Sequence, residues 1–251
     1  MYNRDAPSHG GRMTDATPAF ADHLRRHLAA LDAAGVRFVP RAGPPPELPA
    51  FDAPPEVEPE ATPSEKRQLA LAELAAEVAG CERCPALFAT RSKTVFGGGP
   101  VGAEVCFLGD APRDGDELFP ADVGDLLNRQ LTAMGLGREE VYFAAAIKCR
   151  PPGRRPPKPD ELDHCRGHLE RQLELVRPRA VCCFGPAAAQ SLLGTKAAVQ
   201  ELRGRVHDWH GLPVVCTYHP AQVLDNPKLR PAVWDDLKLL MTAIGRPVVG
   251  K

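Results

Sequence analysis

Four short apolar runs between residues 104 and 217 constrain the fold of this chain more than any other feature. They cover 104–108, 141–147, 180–184 and 214–217. Each is rich in β-branched or aromatic residues and lacks the strict alternation of a half-exposed strand, as strands buried on both faces do. Segments with helical periodicity lie around them, near 66–79, 123–134, 160–176, 186–193 and 231–243. Strands that alternate with helices call for a parallel sheet covered on both sides. The expected fold is α/β: a three-layer α/β/α domain with a small parallel sheet of about four strands.

This domain is expected to span residues 66–244. Residues 1–17 read as a disordered lead. In 18–39, Phe20, Leu24, Leu28 and Leu31 recur on one helical face, and Gly35 supplies a stop. Residues 40–65 are rich in Pro and Glu without a periodic apolar face, so they read as a flexible, partly extended linker. No apolar run approaches the ~20 residues that span a bilayer, and the N-terminal stretch lacks the apolar core of a secretory signal. The expected setting is the cytoplasm, without membrane association. The formal net charge of −1 gives no overall pull toward a polyanion, so any such attraction must come from a local patch.

In a cytoplasmic setting structural disulfides are rare, and eight cysteines point to metal binding, catalysis or core filling. Cys106, Cys182, Cys183 and Cys216 sit inside the apolar runs, where cysteine packs as a small hydrophobe. Cys81, Cys84, Cys149 and Cys165 lie outside them. The first two form C-E-R-C after a helix, Cys149 follows a strand, and Cys165 falls in the next helix. Two ligands on a tight turn and two from a distant segment can close a tetrahedral thiolate site, which suits zinc or an iron–sulfur cluster equally.

The residues around these cysteines carry a resemblance. T-R-S-K-T-V-F-G-G-G-P (90–100), E-V-C-F-L-G-D-A-P (104–112), K-C-R-P-P-G-R-R-P-P (148–157), R-G (203–204), T-Y-H-P-A (217–221) and V-W-D-D-L-K (233–238) occur in this order. In this the chain resembles the family 4 uracil-DNA glycosylases over about residues 66–243. The resemblance implies that Cys81, Cys84, Cys149 and Cys165 hold a [4Fe-4S] cluster, and that the partner is uracil-containing DNA, single- or double-stranded, met by a monomer. It implies excision of a flipped-out uracil by hydrolysis of the N-glycosidic bond. It places Gly109, Asp110, Ala111, Phe119 and His219 around the base. Phe119 would stack on it, His219 would donate to the developing charge on uracil O2, and Asp110 would position water or stabilise the sugar cation. Lys148, Arg150, Arg154, Arg155 and Lys158 crowd one Pro-rich loop, where they would meet phosphates without reading sequence.

Four positions depart from the family pattern. Asp110 stands for a glutamate, and Arg113 follows where a glycine is usual. Ala145 occupies the place of an asparagine that reads the pyrimidine edge, and Asp225 that of an arginine. Three readings follow: a glycosylase for uracil or another deaminated base, a weak or inactive DNA-binding paralogue, and an iron–sulfur redox or electron-transfer protein. The last rests on the cluster alone, since no flavin or nicotinamide fingerprint accompanies the cysteines.

Overall fold

The computed structural model describes residues 18–36, 61–113 and 117–246. The expected lead at 1–17 and nearly all of the linker at 40–65 lie outside the described residues. The chain divides into two units, Met1–Glu58 and Pro59–Lys251. The first contains α1 (Pro18–Ala33), on which Leu24, Leu28 and Leu31 are exposed.

The second unit begins with α2 (Pro63–Ala79). Its start is a reciprocal cap, in which Thr62 Oγ1 accepts from the Glu65 N–H and the Glu65 carboxylate accepts from the Thr62 N–H. There follow α3 (Pro85–Phe88), β1 (Val105–Gly109), α4 (Ala121–Met134), β2 (Val141–Ala145), α5 (Pro159–Val176), β3 (Ala180–Phe184) and α6 (Pro186–Leu193). After these come α7 (Val199–Leu202), β4 (Val206–Trp209), β5 (Leu212–Thr217), α8 (Pro220–Asp225) and α9 (Arg230–Ala243). No described helix is long and apolar enough to cross a membrane.

The strands form one sheet in the order β2-β1-β3-β5-β4. The four expected strands make up its parallel part, and β4 adds an antiparallel edge. Alternating exposed and half-buried positions in V-H-D-W give β4 no apolar run to detect. It is turned by His210 and Gly211, both at positive φ (53° and 83°) as a tight hairpin of this hand requires.

Successive strand residues feed two cores. Phe107, Phe143, Cys182 and Val215 pack under α4 and α9, while Cys106, Leu108, Val181, Cys183 and Cys216 pack under α2, α5 and α6. The four strand cysteines are fully buried among apolar neighbours. The chain moves from β1 to β2 on one side of the sheet and reaches β3 on the other, which opens a crevice beyond the carboxyl ends of β1 and β3. Asp110 leaves β1 there, Gly185 leaves β3, and His219 follows β5.

Candidate active site and thiolate centre

Asp110 spans this crevice. Its Oδ1 accepts a 2.7 Å hydrogen bond from the N–H of Ala188, in the first turn of α6. The carboxylate therefore occupies the positive end of a helix, where a negative group is favoured. Gly185 makes room for it: a Cβ there would stand 2.5 Å from Asp110 Oδ2, and the residue holds φ +96°. Burial pushes the Asp110 carboxyl up to about 7, against the opposing pull of the Ala188 and Ala187 amides and of Arg113.

His219 caps α8. Its Nδ1 accepts from the Ala221 N–H at 3.1 Å, and its own N–H donates to Gln222 Oε1 at 3.2 Å. An Nδ1 that accepts must be unprotonated, so the ring proton of the neutral form sits on Nε2. Burial, aided by the nearby Arg113 charge, lowers this histidine to about 4. The side chain is thus a neutral imidazole with one committed acceptor and one N–H left to donate.

Both groups line a cavity of about 230 Å³ with Ala111, Arg113 and the Pro-rich loop that follows Cys149. The loop contributes Arg150, Arg154 and Arg155 to the cavity wall. Arg155 is tied back to α5 by a two-pronged pair with Glu161, at 2.8 and 2.5 Å. Lys158 stands outside the cavity and is exposed at the start of α5.

Phe119 lines an adjacent cavity of about 600 Å³ rather than this one. Its ring packs against the end of β1, with centroid distances of 5.4 Å to Phe143, 6.2 Å to Phe184 and 6.2 Å to His219. A side chain at Gly109 would meet Phe119 Cζ and Leu118 Cδ1 at 3.2 Å, so the glycine lets the aromatic ring close on the strand. Ala145 pairs with Gly109 across the sheet and is fully buried, so no polar side chain stands at that position.

Lys148 corrects an expectation. It is 1% exposed and cannot meet a phosphate. Its Nζ donates to the Ala145 carbonyl at 2.8 Å and to Gln172 Oε1, while Gln172 Nε2 donates to the Phe96 carbonyl and the Tyr142 hydroxyl, each at 2.9 Å. The lysine fastens the end of β2 to α5. Sequence position in a basic cluster does not tell which side chain turns inward.

The profile of the uracil DNA glycosylase superfamily matches residues 96–238. The chain belongs to that superfamily. It is 36% identical over 188 residues to a type-4 uracil-DNA glycosylase of Archaeoglobus fulgidus, spanning 70% of this chain and 94% of the relative. A type-4 uracil-DNA glycosylase of Thermotoga maritima is 33% identical over 166 residues, 63% and 86% of the two chains. A type-5 uracil-DNA glycosylase of Pyrobaculum aerophilum is 30% identical over 184 residues, 58% and 80% of the two.

Two further groups support the site of this superfamily member. Arg203, whose role the sequence left open, donates to both carboxylate oxygens of the fully buried Asp236 and to the Ala232 carbonyl. Asp236 also accepts from the Gly204 N–H and, at 2.7 Å, from the Thr217 hydroxyl. The R-G and W-D-D-L motifs therefore clamp the end of β5, two residues before His219. The clamp was detectable only as two separate motifs, since nothing in their spacing states that they meet.

Cys81, Cys84, Cys149 and Cys165 line one small cavity between α2, the end of β2 and α5. Arg91 Nη1 donates to Cys149 Sγ at 3.1 Å, and Cys84 Sγ lies 3.5 Å from His164 Nδ1. Burial and then the neighbouring Cys165 and Cys149 thiols push Cys84 up to about 11; burial also raises Cys149 and Cys165. Thiols this close oppose each other's ionisation unless a cationic guest offsets the charge. Among the described residues no three His, Cys, Asp or Glu side chains are placed to grip a single ion. Cys84, Cys165 and Ala111 pack against one buried apolar cluster that includes Cys149, Ile147 and Ala187, so the thiolate centre and the cavity share one support.

Proposed function

We propose that this protein is a DNA base-excision glycosylase that hydrolyses the N-glycosidic bond of uracil, or of a related deaminated base. The observation that carries the reading is His219, held neutral with its proton on Nε2, beside Asp110 in an arginine-lined cavity at the sheet's carboxyl edge. Bond cleavage leaves negative charge on the departing base and positive charge on the sugar. A fixed, neutral N–H donor favours the first without prior loss of its own proton. The Asp110 carboxylate, anchored through one oxygen, favours the second or orients the attacking water. The type-4 and type-5 relatives, named for uracil-DNA glycosylase activity, support the same assignment. With Ala145 in the strand, no side chain at that position reads the pyrimidine edge, and the reading includes relaxed base selection.

Cys81, Cys84, Cys149 and Cys165 would hold a [4Fe-4S] cluster, since they line one cavity while no three such side chains among the described residues are placed to grip a single ion. Held there through Cys149, it would tie down the start of the loop that carries Arg150, Arg154 and Arg155. These arginines and Lys158 would contact DNA phosphates, in a monomer acting in the cytoplasm. The test is an oligonucleotide with one uracil, treated with protein purified without oxygen and of known iron content. Alkali-labile breaks at the uracil are the expected result. No breaks at uracil or other deaminated bases, with a full cluster and retained DNA binding, would replace the reading by a non-catalytic DNA-binding paralogue, which Ala145 favours.

A further inference from the structure

Arg113 and Arg154 belong to the walls of two neighbouring cavities. One is the 230 Å³ cavity of Asp110 and His219; the other, about 300 Å³, lies against the start of α4 and the end of α8. Among the described residues only these two line both, so they form the partition between them. Arg113 is exposed and leaves β1 three residues after Asp110, while Arg154 arrives from the Pro-rich loop. Arg154 holds φ +58°, a left-handed conformation that disfavours a non-glycine residue. The loop therefore bears a local cost at the residue that shares the partition with Arg113.

Charge is distributed unequally on the two sides. The outer cavity sets Asp122 and Asp225 against the two arginines, which leaves it balanced. The inner cavity adds Arg150 to them, together with Arg155, whose charge is met by Glu161, and among the described residues the one acidic side chain on its wall, Asp110, is drawn onto the first turn of α6. An anion is thus favoured on the inner side of the partition, next to the reacting groups.

We propose that Arg113 and Arg154 form a clamp for the phosphate adjoining the extruded nucleotide, and that this clamp selects the substrate through its backbone where Ala145 leaves the base edge unread. The inference rests on the DNA glycosylase reading above and assigns Arg113 a binding role in place of steric obstruction. Two planar guanidinium groups from separate segments can share one phosphate and hold it only when the nucleotide has left the stack. Base identity then enters through leaving-group stability at His219, and the clamp serves uracil and other deaminated bases alike.

A thermodynamic cycle between Arg113 and the DNA backbone tests this. Oligonucleotides carry one uracil, or an uncleavable abasic analogue, with a single neutral methylphosphonate at the linkage 5′ or 3′ to it. Arg113→Gln is expected to weaken binding and single-turnover excision by about tenfold or more. A methylphosphonate at one of the two linkages should do the same to the wild-type protein, and the combination should cost less than about twofold further. Arg113→Lys should recover part of the loss, and Arg113→Gln should lower the salt slope of binding by about one. An equal loss for Arg113→Gln with and without methylphosphonate at both linkages overturns the clamp, as does faster excision by Arg113→Gly. Absence of excision by the wild-type protein defeats the glycosylase reading instead, and the binding cycle on the abasic analogue then decides the clamp by itself.

Discussion

Asp110 and His219 carry opposite pH signatures, because burial acts on opposite charges. Burial keeps a proton on Asp110 up to about pH 7, against an ordinary value of 3.8. The folded state therefore binds this proton more tightly than the unfolded chain, and the associated stability is lost as pH rises from about 4 to 7. His219, lowered from 6.5 to about 4, has the reverse effect: stability is lost as pH falls through that window. If the Asp110 carboxylate serves the reaction, excision should rise with an apparent pKa near 7 and show no histidine limb near 6.5. Asp110→Asn retains the acceptor for Ala188, so it should fold, remove the limb and lower the rate by about 10²-fold. Lys148 gives a contrasting test. Lys148→Met should cost about 1–3 kcal/mol of stability in denaturant titrations, by stranding Gln172 Oε1, while leaving the salt dependence of DNA binding unchanged. A reduced salt slope would put the lysine on the DNA surface after all.

Elements, more than individual side chains, were legible in the sequence. The parallel strands and the long helices announced themselves because buried strands and amphipathic helices have different periods. The edge strand β4 did not, since a four-residue strand with one wet face resembles a loop. Nor did the junction between β3 and α6, where F-G-P looks like an ordinary turn. Its physical content is a contact across the sheet: Gly185 is bare so that Asp110 can cap the helix. Gly185→Ala should destabilise the domain by about 1–3 kcal/mol through its strained φ and displace the carboxylate. Thermal unfolding together with the excision assay would register both effects, and a stable, fully active variant would show that the cap is dispensable. The clamp of Arg203 and Asp236 is likewise a meeting of two elements that no local pattern encodes.

At the level of the whole molecule, the second unit is a scaffold with two sites on one support. The cysteine spacing alone allowed zinc or a cluster; the convergence of Cys81, Cys84, Cys149 and Cys165 on one cavity depends on packing between α2, β2 and α5. Cys149→Ser, in protein prepared without oxygen, should lose iron and sulfide together and weaken DNA binding, because the arginine loop starts at that residue. Zinc in the wild-type protein under those conditions would contradict the cluster. The two cavities flanking Arg113 were beyond sequence reading, since each draws its wall from at least three separated segments. The central claim is that a neutral His219 donor drives base departure. It is tested most directly by the single-turnover rate of uracil release for wild-type protein and His219→Ala on the same oligonucleotide. The account expects measurable release by the wild type and a fall of about 10²-fold or more in the variant, with DNA affinity retained. Equal rates for the two proteins would contradict it.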